Sequence, residues 1–180
     1  MMGRTLAQET DRPRWRVVVA VDGSDGSAEA IEWTARLASA LQAEVVAVHA
    51  LEPPVIAGGY AWLAGLSSPA DWSEAWQAWS DRVRETLERE WCEPLREAGL
   101  SYRAIVIMGG SGELLSYLRE AGAELVIVGR RGLGGFAELI IGSFSHKLVH
   151  HSPIPVLVVP PRDSGAEQVG DDAGSVANGD

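Results

Sequence analysis

The chain has 180 residues, 46% hydrophobic and 22% charged; this is the size and make-up of one globular domain with a core of its own, and it excludes disorder of the whole chain. A single cysteine, Cys92, excludes a disulfide framework and a cysteine-ligated zinc site, and no apolar run approaches the ~18–20 residues of a membrane span. The net charge of −10, from 25 acidic and 15 basic residues, opposes phosphate-backbone binding, which wants a basic face, so neither nucleic acid nor a membrane is an expected partner.

Residues 1–14 mix charge with little periodicity and read as a flexible leader. Residues 1–16 hold no apolar signal-peptide run, and the one thiol is unpaired, so the expected compartment is the cytoplasm. Residues 16–21 form a continuous, mostly β-branched run, the pattern of a strand buried on both faces. The turn at 22–27 (Asp-Gly-Ser-Asp-Gly-Ser) offers Ser24, Asp25 or Ser27 as a cap. Ile31, Thr34, Ala35, Ala38 and Leu41 then recur at helical spacing, predicting a helix over about 27–42. A second strand spans 44–50. An irregular stretch over 52–70, with Pro53, Pro54, Gly58, Gly59, Gly65 and Pro69, precedes a long helix expected from about 71 to 97. One face of that helix carries Trp72, Trp76, Trp79, Val83, Leu87 and Trp91, and Pro94 is expected to bend or end it. Strands at 102–107, 124–128 and 154–159 alternate with short helices at 112–121, stopped by Gly122, and 143–151. From residue 162 the sequence turns to Gly, Asp, Ser and Ala with no apolar pattern, an expected acidic disordered tail. The folded domain is thus expected over 15–161. The alternation implies an α/β fold: a doubly wound, open, five-stranded parallel sheet, Rossmann-like, with helices on both faces.

In such sheets ligands bind outside the carboxyl ends of the strands, where the strand order reverses. The segment at that level with most to say is 129–143. Glycine stands at 129, 132, 134, 135 and 142; it lets backbone N–H groups approach a phosphate. The segment feeds a helix start, where free N–H groups and the dipole favour an anion, and Ser143 can add its hydroxyl. A P-loop is excluded, because the sole lysine, Lys147, is misplaced for it. The dinucleotide fingerprint matches superficially over 132–137. However, the helix comes too late, and residues 152–162 hold no acid to receive a ribose.

A third template fits. Gly129-x-x-Gly132, nine residues, then Gly142-Ser143 resembles the ATP-binding signature of the universal stress protein family. The resemblance extends to 19–27 (Val-Ala-Val-Asp-Gly-Ser-Asp-Gly-Ser), 46–50 (Val-Ala-Val-His-Ala), 126–136 and 151–159. Arg130 departs from it, standing where many members have Ser, as does Phe144, where a smaller Val is common. The resemblance implies ATP as ligand, with or without Mg2+. It implies that Asp22 bonds the ribose hydroxyls, that Ala20 lines the adenine pocket and that Ala50 offers its main chain to the adenine edge. Val128, Gly129, Gly132, Gly142, Ser143 and Phe144 would wrap ribose and phosphates, and Arg130 or Arg131 could add phosphate charge. It further implies a homodimer through the last strand, across Val156–Val159.

Plainer readings stand beside these. The turn at 22–27 is by itself an ordinary helix cap. His146 and His150 are spaced i, i+4 as zinc ligands are, but no Glu lies between them, and histidine in a last helical turn suits the dipole. The Trp stripe is a helix-packing face or a lid over a nucleotide. Cys92 lacks a basic neighbour that would activate it and is expected buried or inert. No Ser-His-Asp set or carboxylate pair can be assembled at the loop ends, and Asp22 and Asp25 are the only acids near the proposed phosphates. The expected function is an ATP-binding regulatory or stress-response module that is not an enzyme. A slow ATP hydrolase or an adenylate-using enzyme is the alternative. A protein partner for the Trp-rich insert is compatible with either.

Overall fold

The computed structural model describes residues 15–52, 69–130 and 141–162. The expected leader, most of the irregular stretch, the middle of the glycine loop with Gly132 and Arg131, and the expected tail beyond Arg162 lie outside the described residues. Strand β1 (Arg16–Ala20) leads to α1 (Asp25–Leu41), β2 (Glu44–Leu51), α2 (Pro69–Thr86), a π-helical turn (Leu87–Trp91) and α3 (Glu93–Glu97). Then follow β3 (Tyr102–Met108), α4 (Ser111–Glu120), β4 (Leu125–Gly129), α5 (Ser143–His151) and β5 (Val156–Val159). The five strands form one sheet in the order β3-β2-β1-β4-β5, every neighbouring pair parallel.

The alternation of side chains along each strand builds two cores. Val17, Val19 and Val21 face α1 and α3 and pack with Ile31, Leu87, Cys92 and Leu95. Val18 and Ala20 face α4 and α5 and pack with Leu114, Leu118 and Leu148. Burial of both faces explains why the strands read as unbroken apolar runs, and each fully buried Leu or Ile contributes roughly 1.5–3 kcal/mol. From β1 the chain winds out through β2 to β3, then returns to the other side of β1 for β4 and β5. The reversal therefore lies between β1 and β4, and their carboxyl ends open side by side.

Most boundaries expected from sequence fall within a residue or two. Ser24 caps α1, its side chain accepting from Ser27 N–H at 3.3 Å, and Gly122 adopts φ +61° after α4. Two expectations need correction. The helix expected over 71–97 is not continuous. It widens into the π-helical turn at Leu87, where Cys92 N–H reaches back five residues to Leu87 O at 3.0 Å. Pro94 has no N–H for the carbonyl of Glu90 and its ring would crowd it, so the α-helical ladder cannot run through. The last strand starts at Val156 rather than residue 154. Pro155 takes part only as an acceptor, its carbonyl receiving Val126 N–H at 3.0 Å. Arg162, at the head of the expected tail, lies against α1, with Nε 3.0 Å from Glu29 and Nη2 2.6 Å from Glu32.

Candidate functional site at the carboxyl ends of β1 and β4

Eight of the nine residues singled out by sequence are described, and the sheet brings them to one end of the molecule. Ala20 closes β1, in register with Val48 on one side and Val128 on the other. Asp22 lies two residues beyond; its Oδ1 accepts from Ser24 N–H at 3.1 Å and Ser24 Oγ at 2.6 Å. Ala50 is half-buried one residue before the end of β2. Val128 and Gly129 are buried at the end of β4. Gly142 is the buried N-cap of α5, and Ser143 opens that helix exposed to solvent. Phe144 is half-buried and packs on the core patch that includes Ala20 and Val128. The ninth, Gly132, lies outside the described residues.

Backbone contacts hold this end together. Gly129 lies so close to the start of α1 that a Cβ there would strike the carbonyl of Gly26 and stand 3.0 Å from Ser27 N. Only glycine allows β4 and α1 to approach this closely. Ser145 Oγ, buried, donates to Gly129 O at 2.7 Å and fastens α5 to the same point. The ends of the glycine loop are tied to each other by Gly142 N–H to Arg130 O at 2.8 Å.

The two helix starts that meet here differ in charge. The start of α1 is satisfied: Ser24 caps it and Asp25 lies in its first turn. The start of α5 has no side-chain cap and no acid in its first turn. Among the described residues no side-chain cap or first-turn acid offsets its N–H groups and positive dipole end, the electrostatics that favour an anion. A polar orphan accompanies them, since Arg130 Nε is buried without a hydrogen-bond partner. These two features fit a phosphate group. No group of three or more His, Cys, Asp or Glu that could hold a metal occurs among the described residues.

The opposite side of the turn is braced by His49, given no role by the sequence, and by Trp91 of the Trp stripe. His49 Nδ1 donates to Val21 O at 2.7 Å, and the ring of Trp91 packs against His49 with centroids 5.3 Å apart. Trp91 also roofs the turn, for a Cβ on Gly23 would lie 2.6 Å from its ring. The Trp stripe was the available signal, but a straight helix would have aimed Trp91 elsewhere. Beside the turn, between α1 and α3, opens a cleft of about 270 Å³ with Val21, Ile31, Trp91 and Pro94 among its apolar lining and Glu32, Glu90, Glu93 and Glu97 among its acids. Those carboxylates repel phosphate, and neither Gly129 nor Ser143 lines the cleft; the uncapped start of α5 is the anion-favouring end.

The remaining expectations are placed as follows. Trp76 and Trp79 meet edge to face at 5.0 Å, and Trp76 lies on Met108 at the end of β3; Trp72's side chain is outside the described residues. The rings of His146 and His150 lie 4.3 Å apart on α5. Cys92 is fully buried, and burial pushes its thiol up to about 12, which leaves it protonated and unreactive at neutral pH.

Residues 14–160 match the family model described as the universal stress protein family. The chain belongs to that family. It is 31% identical over 152 residues to a universal stress protein of Bacillus subtilis, covering 80% of this chain and 97% of that protein. Among solved structures it resembles a universal stress protein in complex with cAMP, with a TM-score of 0.58, 24% identity and coverage of 82% of this chain and 98% of the other. A universal stress protein family protein from Arabidopsis thaliana with AMP bound gives 0.55, 19%, 83% and 93%. These structural likenesses show that the universal stress protein fold is shared. Among the described residues no helix is long and apolar enough to cross a membrane.

Proposed function

We propose that this universal stress protein is a regulatory module that binds an adenine nucleotide, ATP, across the carboxyl ends of β1 and β4. The observation that carries the reading is the uncapped start of α5, pinned to the end of β4 by Gly142 N–H to Arg130 O and by Ser145 Oγ to Gly129 O. The cAMP and AMP complexes of two structural relatives support an adenine ligand. In this reading Asp22 accepts from the ribose hydroxyls. Ala20 lines the base pocket, and Ala50 offers its main chain to the adenine edge. Val128, Gly129, Gly132, Gly142, Ser143 and Phe144 wrap the ribose and phosphates. Mg2+, where it accompanies ATP, is carried chiefly by the phosphates. The module works in the cytoplasm as a homodimer.

Efficient catalysis is not part of this reading, because hydrolysis needs a positioned base and metal ligands and Asp22 is engaged with the turn and the ribose. Equilibrium dialysis with ATP at millimolar concentration should show saturable binding at one site per chain. Its absence from folded protein removes the proposal. The alternative, an ATP hydrolase or adenylate-using enzyme, requires turnover; a rate above about 1 per second on pure protein favours it.

A further inference from the structure

Arg130 is the first residue after β4, and its backbone is fixed on both sides. Its N–H donates to Val159 O at 2.6 Å, and its carbonyl accepts from Gly142, the N-cap of α5, at 2.8 Å. The side chain therefore originates beside the positive end of α5. It carries a full positive charge at any physiological pH, and its Nε is buried without a hydrogen-bond partner. No ion pair engages it among the described residues. An arginine rooted beside a helix start that has no acid in its first turn, with its own Nε buried and unpartnered, is unfavourable on two counts: desolvation of the side chain and opposition of its charge by the dipole. One anion relieves both, accepting from the helix N–H groups and from the guanidinium together.

We propose that Arg130 is a specificity-determining residue that donates to the polyphosphate and makes the site prefer nucleoside triphosphates over monophosphates. The proposal rests on the nucleotide reading of the same site. A triphosphate carries roughly twice the charge of a monophosphate, and the attraction of a guanidinium scales with ligand charge. The adenine and ribose contacts are common to both ligands, so Arg130 acts on their ratio rather than on binding as a whole.

Calorimetric titration of ATP and AMP into wild type, Arg130→Gln and Arg130→Lys tests this. Wild type should bind ATP more tightly than AMP. Arg130→Gln should lose about tenfold or more for ATP, the loss of one charge-assisted bond, and less than about threefold for AMP. Arg130→Lys should keep most of the preference, since the charge remains. The unliganded melting temperature of Arg130→Gln should not fall, because the removed donor had no partner to lose. Equal losses for ATP and AMP, no loss for either, or a marked fall in the unliganded melting temperature overturns the role of Arg130. In those cases continued AMP binding keeps the nucleotide reading standing, whereas a wild type that binds neither ligand overturns both.

Discussion

Asp22 has two duties that one substitution can separate. Its Oδ1 organises the turn after β1 by accepting from the N–H and hydroxyl of Ser24, and its charge is the acceptor proposed for the ribose. Asn keeps a carbonyl oxygen for Ser24 but loses the charge. Asp22→Asn should weaken ATP binding about ten- to hundredfold, the ~1.5–3 kcal/mol of a charge-assisted bond. The unliganded melting temperature should move by no more than a few degrees. Unchanged affinity with a large melting shift would make Asp22 a turn residue alone. In the sequence Asp22 stood out only through the family resemblance, since a carboxylate in a turn after a strand is by itself an ordinary helix-capping feature. Gly129 was legible for only half its reason. The glycine spacing pointed to a loop around phosphates, whereas the contact with Gly26 is backbone packing between residues about a hundred positions apart, which no local pattern encodes.

Among the elements, the strands were the clearest in sequence, since a β-branched run buried on both faces has no competing reading. The π-helical turn was not. Leu87 and Cys92 are both fully buried, yet five residues along an α-helix turn through about 500°, leaving them some 140° apart. The wider turn brings both onto the core and swings Trp91 over Gly23 and His49. Pro94 announced a break, but its position depends on what the core demands of both sides of the break. At the opposite end of the sheet, Glu44 ties the starts of three strands. It receives Arg16 Nη2 at 3.0 Å and Arg103 Nη2 at 3.1 Å, and Arg16 also reaches the carbonyl of Ala121. The bond from Arg16, aided by the charges of both arginines, outweighs burial and holds the Glu44 carboxyl below its ordinary range. A carboxyl lowered by folding adds stability above its unfolded value and loses it as pH falls through the folded one. Glu44→Gln should therefore cost up to about 1 kcal/mol near neutral pH, the scale of a solvent-exposed pair. The difference from wild type should shrink in acid, as the pH falls through the lowered folded value and the wild-type carboxyl takes up its proton. Urea denaturation at neutral and at acid pH checks it; a gap of the same size at both would assign the loss to packing.

For the whole molecule, fold class and chain alternation could be read from sequence, but strand order could not, because it is set by which helices cover which face. The order places β3 and β5 at the two edges. β3 is covered near its end by α2, with Trp76 on Met108. β5 is short and apolar and, among the described residues, pairs with β4 alone, and an open apolar edge invites pairing with another chain. Two copies meeting at β5 about a two-fold axis would satisfy the outward backbone groups of both. The ladder shows which groups those are. The carbonyls of Pro155 and Val159 accept from Val126 on β4 and from Arg130 just after it, so residues 155, 157 and 159 turn their backbone groups inward, while Val156 and Val158 turn theirs outward. Sedimentation of the wild type should therefore give about twice the 19.2 kDa of one chain. Val158→Pro removes an outward donor and should yield a folded monomer, whereas Leu157→Pro strikes the inward ladder to β4 and should destabilise the sheet itself. A wild-type monomer at ~100 μM, far above the dissociation constant of a stable dimer, would defeat the dimer. The nucleotide site would survive that result, because every residue proposed for it comes from a single chain.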